Sequence, residues 1–331
     1  MFAGAAFTDS ADIKVDADVV DTLVSLGIVE GFEDGSFQPN GTVTRAQMAK
    51  MIYVLRTGNS DASAYNDEKS SFTDINGHWA RGYIKYCQSL GIIAGKNATT
   101  FAPNASVTAQ EAAKMLLVTV GYNAEKAGLT GAGWAAKTNA LADEAGLLED
   151  VNTSFTAACP RQYAAQLIYN AIDAVTVAWR DDAYTKYNYN GNENKTIGEK
   201  YMGLNKTVGI LNDVTKDTDK NTYSLNVTVN QTESTGKKLD AFTKVTKDYS
   251  ALKYQKVKVL YKEKDKVFGV YSMTDDNTVV TAVMDDVKMD SDTKIKIDGT
   301  KYTVASDSIV YVDGAKQYTT DDGKTFTTDS K

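Results

Sequence analysis

The chain of 331 residues contains one histidine and two cysteines, and this scarcity excludes several classes of protein. Cys87 and Cys159 are too few for a disulfide scaffold and lack the spacing of metal ligands, although whether they pair stays open. Any Ser–His or Cys–His catalytic arrangement would have to use His78, the sole histidine. Glycine-rich phosphate loops are also absent.

Long apolar runs and an excess of basic charge are missing as well. No run approaches the roughly 18 residues that a membrane-spanning helix needs, so we expect no membrane span. The 43 acidic residues outnumber the 36 basic ones, and the resulting net charge of −7 argues against a nucleic-acid partner. Carboxylates are plentiful, but no pair separates itself as acid and base.

The first half of the chain contains a repeated pattern, twice clearly and a third time more loosely. Each clear copy has Leu-Gly-Ile-x-x-Gly, then Phe-x-Pro, then a threonine that opens an apolar helical pattern. A repeat of this kind indicates stacked units that bury their apolar faces on one another. The landmarks are residues 26–31, 37–39 and Thr44 in the first copy, 90–95, 101–103 and Thr108 in the second, and 145–148, Phe155 and Pro160 in the third.

Apolar spacing predicts that each unit is a helix, a glycine-bounded loop and a second helix. From about Lys206, valine, threonine and tyrosine alternate with polar residues, which predicts an antiparallel β module, either a sandwich or a small barrel. Two Asp-Gly pairs, at 298–299 and 313–314, predict hairpins with type I′ turns. The predicted segments are repeat 1 at 1–60, repeat 2 at 61–124, repeat 3 at 125–180, a linker at 181–205 and the β-rich module at 206–331.

Arg45 is the residue of the repeats that helix chemistry does not explain. Thr44 can cap its helix and Gln47 can close a capping box, and the same box is predicted at Thr108. A cation in the first turn faces the positive end of the helix dipole, at a cost of up to ~1 kcal/mol. With the free N–H groups it makes a good anion site, and Arg161 repeats the arrangement. The alternative is that these arginines only cover the repeat surface.

The whole pattern resembles the S-layer homology family, which is read by Phe-x-Asp, Trp-Ala, Gly-Ile-x-x-Gly, Asp-Gly-x-Phe-x-Pro and Thr-Arg-Ala-Glu. The resemblance covers roughly residues 5–178 and is closest in the first two repeats. It implies a pseudo-threefold set of repeats in a bacterial surface protein, exported with its leader absent from this chain. It also implies binding of acidic secondary cell-wall polysaccharide, often carrying pyruvate ketals, in grooves between repeats. The matching residues are 7–9 and 72–74, 78–80, 27–31, 34–39 and 44–47.

Carried over by position, the resemblance implies arginines for the acid group, tryptophans for a sugar ring and other residues along the grooves. These are Arg45 and Arg161; Trp79 and Trp134; and Gln47, Asp9, Asp74, Asp34 and Gly35. Gln47 stands where the family has glutamate. Ala109 replaces the arginine in the second repeat, so we expect the groove of that repeat to be weak. Both tryptophans could equally be core residues that pack between repeats.

The sequence therefore predicts a non-catalytic, extracellular protein whose repeats bind cell-wall polysaccharide. Its β half resembles segments that follow such repeats in clostridial surface-layer proteins, which implies a role in S-layer assembly or display, with copies of itself as partners. The alternatives are an anchored polysaccharide hydrolase or an adhesin whose activity lies in the β half. No cofactor is expected; the oxygen-rich run 213–221 could hold a structural calcium ion, but its lysines favour a solvated turn.

Overall fold

The computed structural model describes residues 7–273, 276–280, 282, 286–291, 294–304, 310–312 and 315–317. The chain divides into two compact units, Met1–Met273 and Thr274–Lys331. Among the described residues, no helix is both long enough and apolar enough to cross a membrane.

Three pairs of α-helices make up the first part of unit one. In each pair the loop after the first helix begins with a glycine in the left-handed region, at Gly27, Gly91 and Gly146, with φ of 70°, 68° and 72°. Glycine adopts this conformation without a side-chain clash and so ends the helix. The predicted helix–loop–helix units are therefore confirmed. The helices are α1 Ala17–Ser25, α2 Arg45–Thr57, α3 Arg81–Ser89, α4 Ala109–Val120, α5 Trp134–Glu144 and α6 Arg161–Asp173.

Capping boxes begin the second helix of the first two pairs. The Thr44 hydroxyl accepts from the Gln47 N–H at 3.2 Å, while the Gln47 amide oxygen accepts from the Thr44 N–H at 2.9 Å. Thr108 and Glu111 make the same two hydrogen bonds, each 3.1 Å long. The predicted boxes are confirmed. Helix α6 has Pro160 at this position, and no side chain caps it.

Three backbone hydrogen bonds join the loops that precede these helices into a closed ring. The N–H of Val43 donates to the carbonyl of Cys159 at 3.1 Å, Cys159 donates to Val107 at 2.8 Å, and Val107 donates to Val43 at 2.9 Å. Each residue lies immediately before a helix cap, and all three are fully buried. Buried backbone groups must be paired, so each of the three loops needs the other two.

A five-stranded antiparallel sheet follows the helices, in the order β5-β4-β3-β6-β7. Its core is apolar and centres on Leu211, Phe242, Val257 and Tyr261. The predicted antiparallel β region is confirmed, but among the described residues the strands do not close into the barrel that was one alternative. The reason is that β5 and β7 each pair with a single neighbour and remain edge strands. The strands are β3 Asn205–Asp217, β4 Thr222–Thr235, β5 Ala241–Val245, β6 Lys256–Glu263 and β7 Lys266–Ser272.

The sheet packs directly on the repeat helices. Leu260 of β6 belongs to the buried core of the helices, and the Lys258 ammonium lies 3.3 Å from the Asp18 carboxylate of α1. The Tyr169 hydroxyl of α6 donates to Asp18 at 2.6 Å and also contacts Lys258. Burial, and then the charge of Asp18, raise the pKa of the Tyr169 hydroxyl, which keeps it a neutral donor.

Part of the segment predicted as a linker, 181–205, has regular structure. A hairpin comes first, with its strand β1 Ala178–Arg180 at the end of the predicted third repeat and its strand β2 Ala183–Thr185 in the predicted linker. A short π-helix, Gly198–Met202, then packs against α2 and α6, and Ile197 before it is fully buried. A side chain at Gly198 would meet Ile172 at 2.9 Å, so the close contact needs glycine.

Unit two contains a three-stranded antiparallel sheet of β8 Val287–Ser291, β9 Lys294–Ile297 and β10 Thr300–Thr303, and a pair formed by β11 Val310–Val312 and β12 Ala315–Gln317. The β9–β10 turn has Asp298 and Gly299 at φ 45° and 79°, as the predicted type I′ turn requires. The strands β11 and β12 pair as predicted, whereas their Asp-Gly turn lies outside the described residues.

Candidate ligand grooves between the repeats

Residues from all three repeats line one open pocket, which we call the first groove. Its cavity volume is about 200 Å³. The first repeat contributes its loop and the exposed side of α2, the second repeat contributes a tryptophan and the third an arginine. The lining residues are Ile28, Val29, Glu30, Gly31, Phe32, Gln47, Lys50, Met51, Trp79 and Arg161. The structure thus brings together three predicted site residues, Arg161, Trp79 and Gln47.

The guanidinium of Arg161 forms one wall of the first groove. One Nη donates to the Glu30 carbonyl at 2.6 Å, and the group lies over the rings of Phe32 and Phe37, 5.0 and 5.1 Å from their centres. Burial lowers the pKa of Arg161, an effect that nearby Glu30 opposes, yet arginine stays charged. Its Nε is buried and has no hydrogen-bond partner within the described residues.

Trp79 stands at the rim of the first groove with 57% of its surface exposed, so it is not a core residue. The ring of Tyr83 supports it at 6.1 Å. Its neighbour His78 accepts from the Ala80 N–H through Nδ1, while Nε2 lies 3.1 Å from the Asn104 side-chain oxygen. This geometry assigns the proton to Nε2, and His78 thereby holds the start of α3.

Lys50 and Glu30 are groove residues that the sequence analysis missed. The Lys50 ammonium lies 3.5 Å from the Glu30 carboxylate. The repeat itself carried the signal, because Lys50 follows Thr44 by six positions just as Lys114 follows Thr108. Lys50 and Lys114 therefore lie at the same position on the surfaces of two equivalent helices, α2 and α4.

Residues at equivalent positions one repeat further along cluster around Arg45, and we call this cluster the second groove. Arg45 is only 3% exposed. Its Nε donates to the Phe101 carbonyl at 2.9 Å, one Nη donates to the Ala94 carbonyl at 2.6 Å, and the other lies 3.7 Å from the Glu111 carboxylate. Burial lowers the pKa of Arg45, against the charges of Glu111 and Asp74. Arg45 does not line the first groove.

The other charged residues of the second groove contact one another. The Lys96 ammonium lies 2.6 Å from the Glu111 carboxylate, and the Lys114 ammonium lies 5.3 Å from the centre of the Trp134 ring. Burial alone would raise the pKa of Glu111, but hydrogen bonds from Lys96 and Thr108 keep it below its usual value. Trp134 is half-buried.

Asp9 and Asp74 hold loops, and neither lines the first groove. Asp9 accepts from the N–H groups of Phe37 and Gln38, each at 2.8 Å. Asp74 accepts from Phe101 and Ala102 at 2.9 and 2.7 Å. Gln38 and Ala102 have φ of 56° and 59°, a left-handed conformation that the paired hydrogen bonds stabilise.

Asp34 and Gly35 shape the tight turn ahead of Phe37 and are not part of the first-groove lining. Asp34 accepts from the N–H and the hydroxyl of Ser36, at 2.9 and 2.6 Å, and these bonds lower the pKa of its carboxyl. Gly35 has φ of 78°.

Each arginine contacts the loop of another repeat and not its own. Arg161 of the third repeat reaches Glu30 of the first, and Arg45 of the first reaches Ala94 of the second. In the same way the start of α4 in the second repeat, where Ala109 replaces the arginine, contacts the loop of the third repeat. There the N–H of Gln110 donates to the Phe155 carbonyl. The missing arginine therefore affects the loop of the third repeat, not that of the second.

Neither cysteine offers a reactive group, and the described residues offer no metal cluster. Cys87 and Cys159 are free and buried, and burial raises the pKa of both thiols to about 12. Asp217, at the end of the oxygen-rich run, pairs with Lys220 at 2.9 Å. Within the part of the chain that the structure describes, no three His, Cys, Asp or Glu side chains gather as a metal site.

The fold and the first groove define a class of protein: packed helix–loop–helix repeats with a cationic cleft between them, followed by antiparallel β-sheets. The S-layer homology domain profile matches residues 6–49 and 71–113, the first two of the three predicted repeats. Two segments of the chain are therefore similar to S-layer homology domains.

Curated relatives agree with this assignment. A cellulosome-anchoring protein of Acetivibrio thermocellus is 30% identical over 110 residues, which are 33% of this chain and 25% of that protein. A cell surface protein of Thermoanaerobacter kivui is 28% identical over 176 residues, 53% of this chain and 22% of that protein. An exoglucanase, XynX, of Acetivibrio thermocellus is 31% identical over 171 residues, 47% of this chain and 15% of that enzyme.

The chain spans a quarter or less of the length of these three relatives. The resemblance to S-layer homology domains predicted from the sequence is borne out over residues 6–49 and 71–113, and these relatives include a cellulosome-anchoring protein and a cell surface protein.

Proposed function

We propose that this chain is a non-catalytic protein held on the bacterial cell wall by repeats that bind an acidic polysaccharide, with the first groove as the binding site. The observation that carries the proposal is the meeting of Arg161, Trp79 and Lys50, from three different repeats, around one open pocket. A surface cavity that combines an exposed aromatic ring with two cations suits a ligand that is both a sugar and an acid.

Different residues of the first groove would bind the acid group and the sugar ring of the ligand. Arg161 and Lys50 supply charge-assisted hydrogen bonds for a carboxylate, such as that of a pyruvate ketal. The exposed face of Trp79 gives a sugar ring an apolar surface to stack on.

The backbone ring of Val43, Val107 and Cys159 supports a pseudo-threefold arrangement of the repeats. Such an arrangement provides three clefts of similar shape. An arginine is present at only two of them, because the position of Arg45 and Arg161 is occupied by Ala109 in the second repeat.

The proposal is tested by sedimentation of the full chain with purified bacterial cell walls. Arg161→Ala should weaken retention by about tenfold to a hundredfold, the size expected for one lost charge-assisted contact. Arg161→Lys keeps the charge and should recover part of the binding. Arg180→Ala removes the same charge from the β1–β2 hairpin and should bind like the parent. Equal retention of Arg161→Ala and the parent, with folding verified by circular dichroism, would refute the assignment.

We propose further that the β-sheets serve display or lattice assembly at the cell surface. Within the described residues β5 and β7 are edge strands, on which a further strand could pair where the edge is not already bonded, as it is at Thr243, whose N–H donates to the Lys264 carbonyl. Electron microscopy of the purified chain should show ordered sheets if the β half assembles, and single particles if it only displays.

An anchored enzyme is the second candidate, because one relative is named an exoglucanase. That enzyme shares only 15% of its length with this chain. Hydrolysis of glucans or xylan by the purified chain, lost on replacing a carboxylate in residues 206–331, would favour this candidate over a purely anchoring role.

A further inference from the structure

The two grooves are built from equivalent positions, yet their lysines lie in different places. In the first groove Lys50 turns toward the Glu30 carboxylate, 3.5 Å away. In the second groove the equivalent Lys114 lies over the Trp134 ring. The residue equivalent to Glu30 in the second groove is Ala94, which follows Gly91 as Glu30 follows Gly27. At that position Lys114 therefore has no carboxylate with which to form an ion pair away from the Trp134 ring.

The tryptophans differ accordingly in accessibility. Trp79 is 57% exposed, and no cation of the described residues lies over its ring. Trp134 is half-buried beneath Lys114. A lysine on an aromatic face occupies the surface on which a sugar would stack, so a ligand has to displace it.

The charges of the second groove are also satisfied internally. Glu111 accepts from Lys96 at 2.6 Å and lies 3.7 Å from Arg45, and it also attracts Lys114. In the first groove the equivalent residue is Gln47, which is neutral and bonds to Thr44. A carboxylate ligand would therefore compete with Glu111 for Arg45 and Lys96 in the second groove, whereas its competitor in the first groove is Glu30, which pairs with Lys50.

We infer that the second groove is closed by its own side chains and that Glu30 keeps the first groove open by holding Lys50 away from Trp79. The inference rests on the proposed function, since it decides which of the two grooves takes the acidic sugar. An ion pair at the surface and a lysine–aromatic contact are both weak, so the placement of one carboxylate is enough to move a flexible lysine between them.

The chain contains three tryptophans, and this allows each groove to be observed separately. Indole N–H signals of the 15N-labelled full chain report Trp79 in the first groove, Trp134 in the second and Trp179 outside both. They are assigned by single Trp→Phe variants. The probe is a methyl hexoside that carries a pyruvate ketal, and the unmodified methyl hexoside is its neutral control. We expect the Trp79 signal to shift on titration while the Trp134 and Trp179 signals stay still.

Substitutions at Glu30 and at its equivalent, Ala94, should weaken ligand binding in the first groove and create ligand binding in the second. Glu30→Ala should weaken the Trp79 response by about threefold to tenfold, although it removes a negative charge near an anion. Ala94→Glu should make the Trp134 signal respond, as should Lys114→Ala combined with Glu111→Gln, which keeps the capping box. Lys126→Ala is the matched control, because Lys126 lies over Trp179 in the same way, 5.2 Å from its ring. It should create no response.

The outcomes separate the inference from the proposed function. Equal titration of Trp79 and Trp134 in the parent chain, or tighter binding by Glu30→Ala, overturns the inference and leaves wall binding intact. Cell-wall retention with no response at either tryptophan also overturns it, because the ligand then binds elsewhere. Loss of both the tryptophan response and cell-wall retention overturns the proposed function and the inference together.

Discussion

A cation at the start of a helix needs compensation, and Arg45 and Arg161 obtain it from the backbone of a neighbouring repeat. Each guanidinium donates to a loop carbonyl and lies on a phenylalanine ring. Hydrogen bonds from a charged group contribute about 1.5–3 kcal/mol, more than the ~1 kcal/mol that the helix dipole costs. The arginines therefore join the repeats whether or not a ligand is bound.

Sequence patterns predicted Arg161, Trp79 and Gln47, which meet in one pocket. They could not predict that Arg45 would be covered, because its burial depends on which loop lies above it. Glu30 and Lys50 were missed for the same reason, since their relation to the groove appears only once α2 and the first loop are packed together.

Asp74 illustrates a prediction at the residue scale. Burial alone would raise the pKa of its carboxyl, but the N–H groups of Phe101 and Ala102 lower it below the usual value. Because Asp74 is largely exposed, we expect Asp74→Ala to reduce the free energy of unfolding by only about 1–2 kcal/mol near pH 7. Urea denaturation of the two proteins measures the difference.

The sign of the pH dependence follows from the lowered pKa of Asp74. A carboxylate whose folded pKa is depressed stabilises the fold above its unfolded value of about 3.9, and this contribution is lost as the pH falls through the folded value. The gap between Asp74→Ala and the parent should therefore close in acid. A gap that persists at a pH below both pKa values would contradict a role for the ionised carboxylate.

At the scale of elements, the helix starts were predictable because a capping box is a local motif. Thr44 and Gln47, and likewise Thr108 and Glu111, are three positions apart and need no tertiary contact to be recognised. The π-helix at Gly198–Met202 was not predictable, since five residues are too few to show a period and their burial comes from α2 and α6.

Removal of one cap should have a measurable cost. Thr108→Ala deletes the hydroxyl that accepts from the Glu111 N–H, and we expect a loss of about 1 kcal/mol in the free energy of unfolding. Thr108→Ser retains the hydroxyl and should restore most of it. Thr246→Ala, on an exposed residue after β5, serves as the matched control in the same thermal melts. A Thr108→Ala melting temperature equal to that of the parent would show that the box does not stabilise α4.

At the scale of the whole molecule, the sheet of unit one is part of the same body as the repeats. Composition divided the chain near residue 206, where alternation replaces the helical period; the first long strand does begin there, at Asn205, although a short hairpin precedes it at 178–185. Composition could not show that Leu260 joins the helical core or that Lys258 meets Asp18, because these are tertiary contacts, and the second joins residues 240 positions apart.

This packing predicts that removing the ion pair between Lys258 and Asp18 will destabilise both the helices and the strands that it connects. Lys258→Met leaves the Asp18 carboxylate with only the Tyr169 hydroxyl, and we expect a loss of about 1–3 kcal/mol, at the lower end because both side chains are about one-fifth exposed. Hydrogen exchange followed by mass spectrometry should show faster exchange in α1 and α6 as well as in β6 and β7. Lys244→Met breaks a shorter but more exposed pair with Asp265, 2.9 Å long, and should leave these helices unchanged. Faster exchange confined to the strands would mean that sheet and repeats are separate folding units, since a shared core transmits the loss of one contact to every element that packs on it.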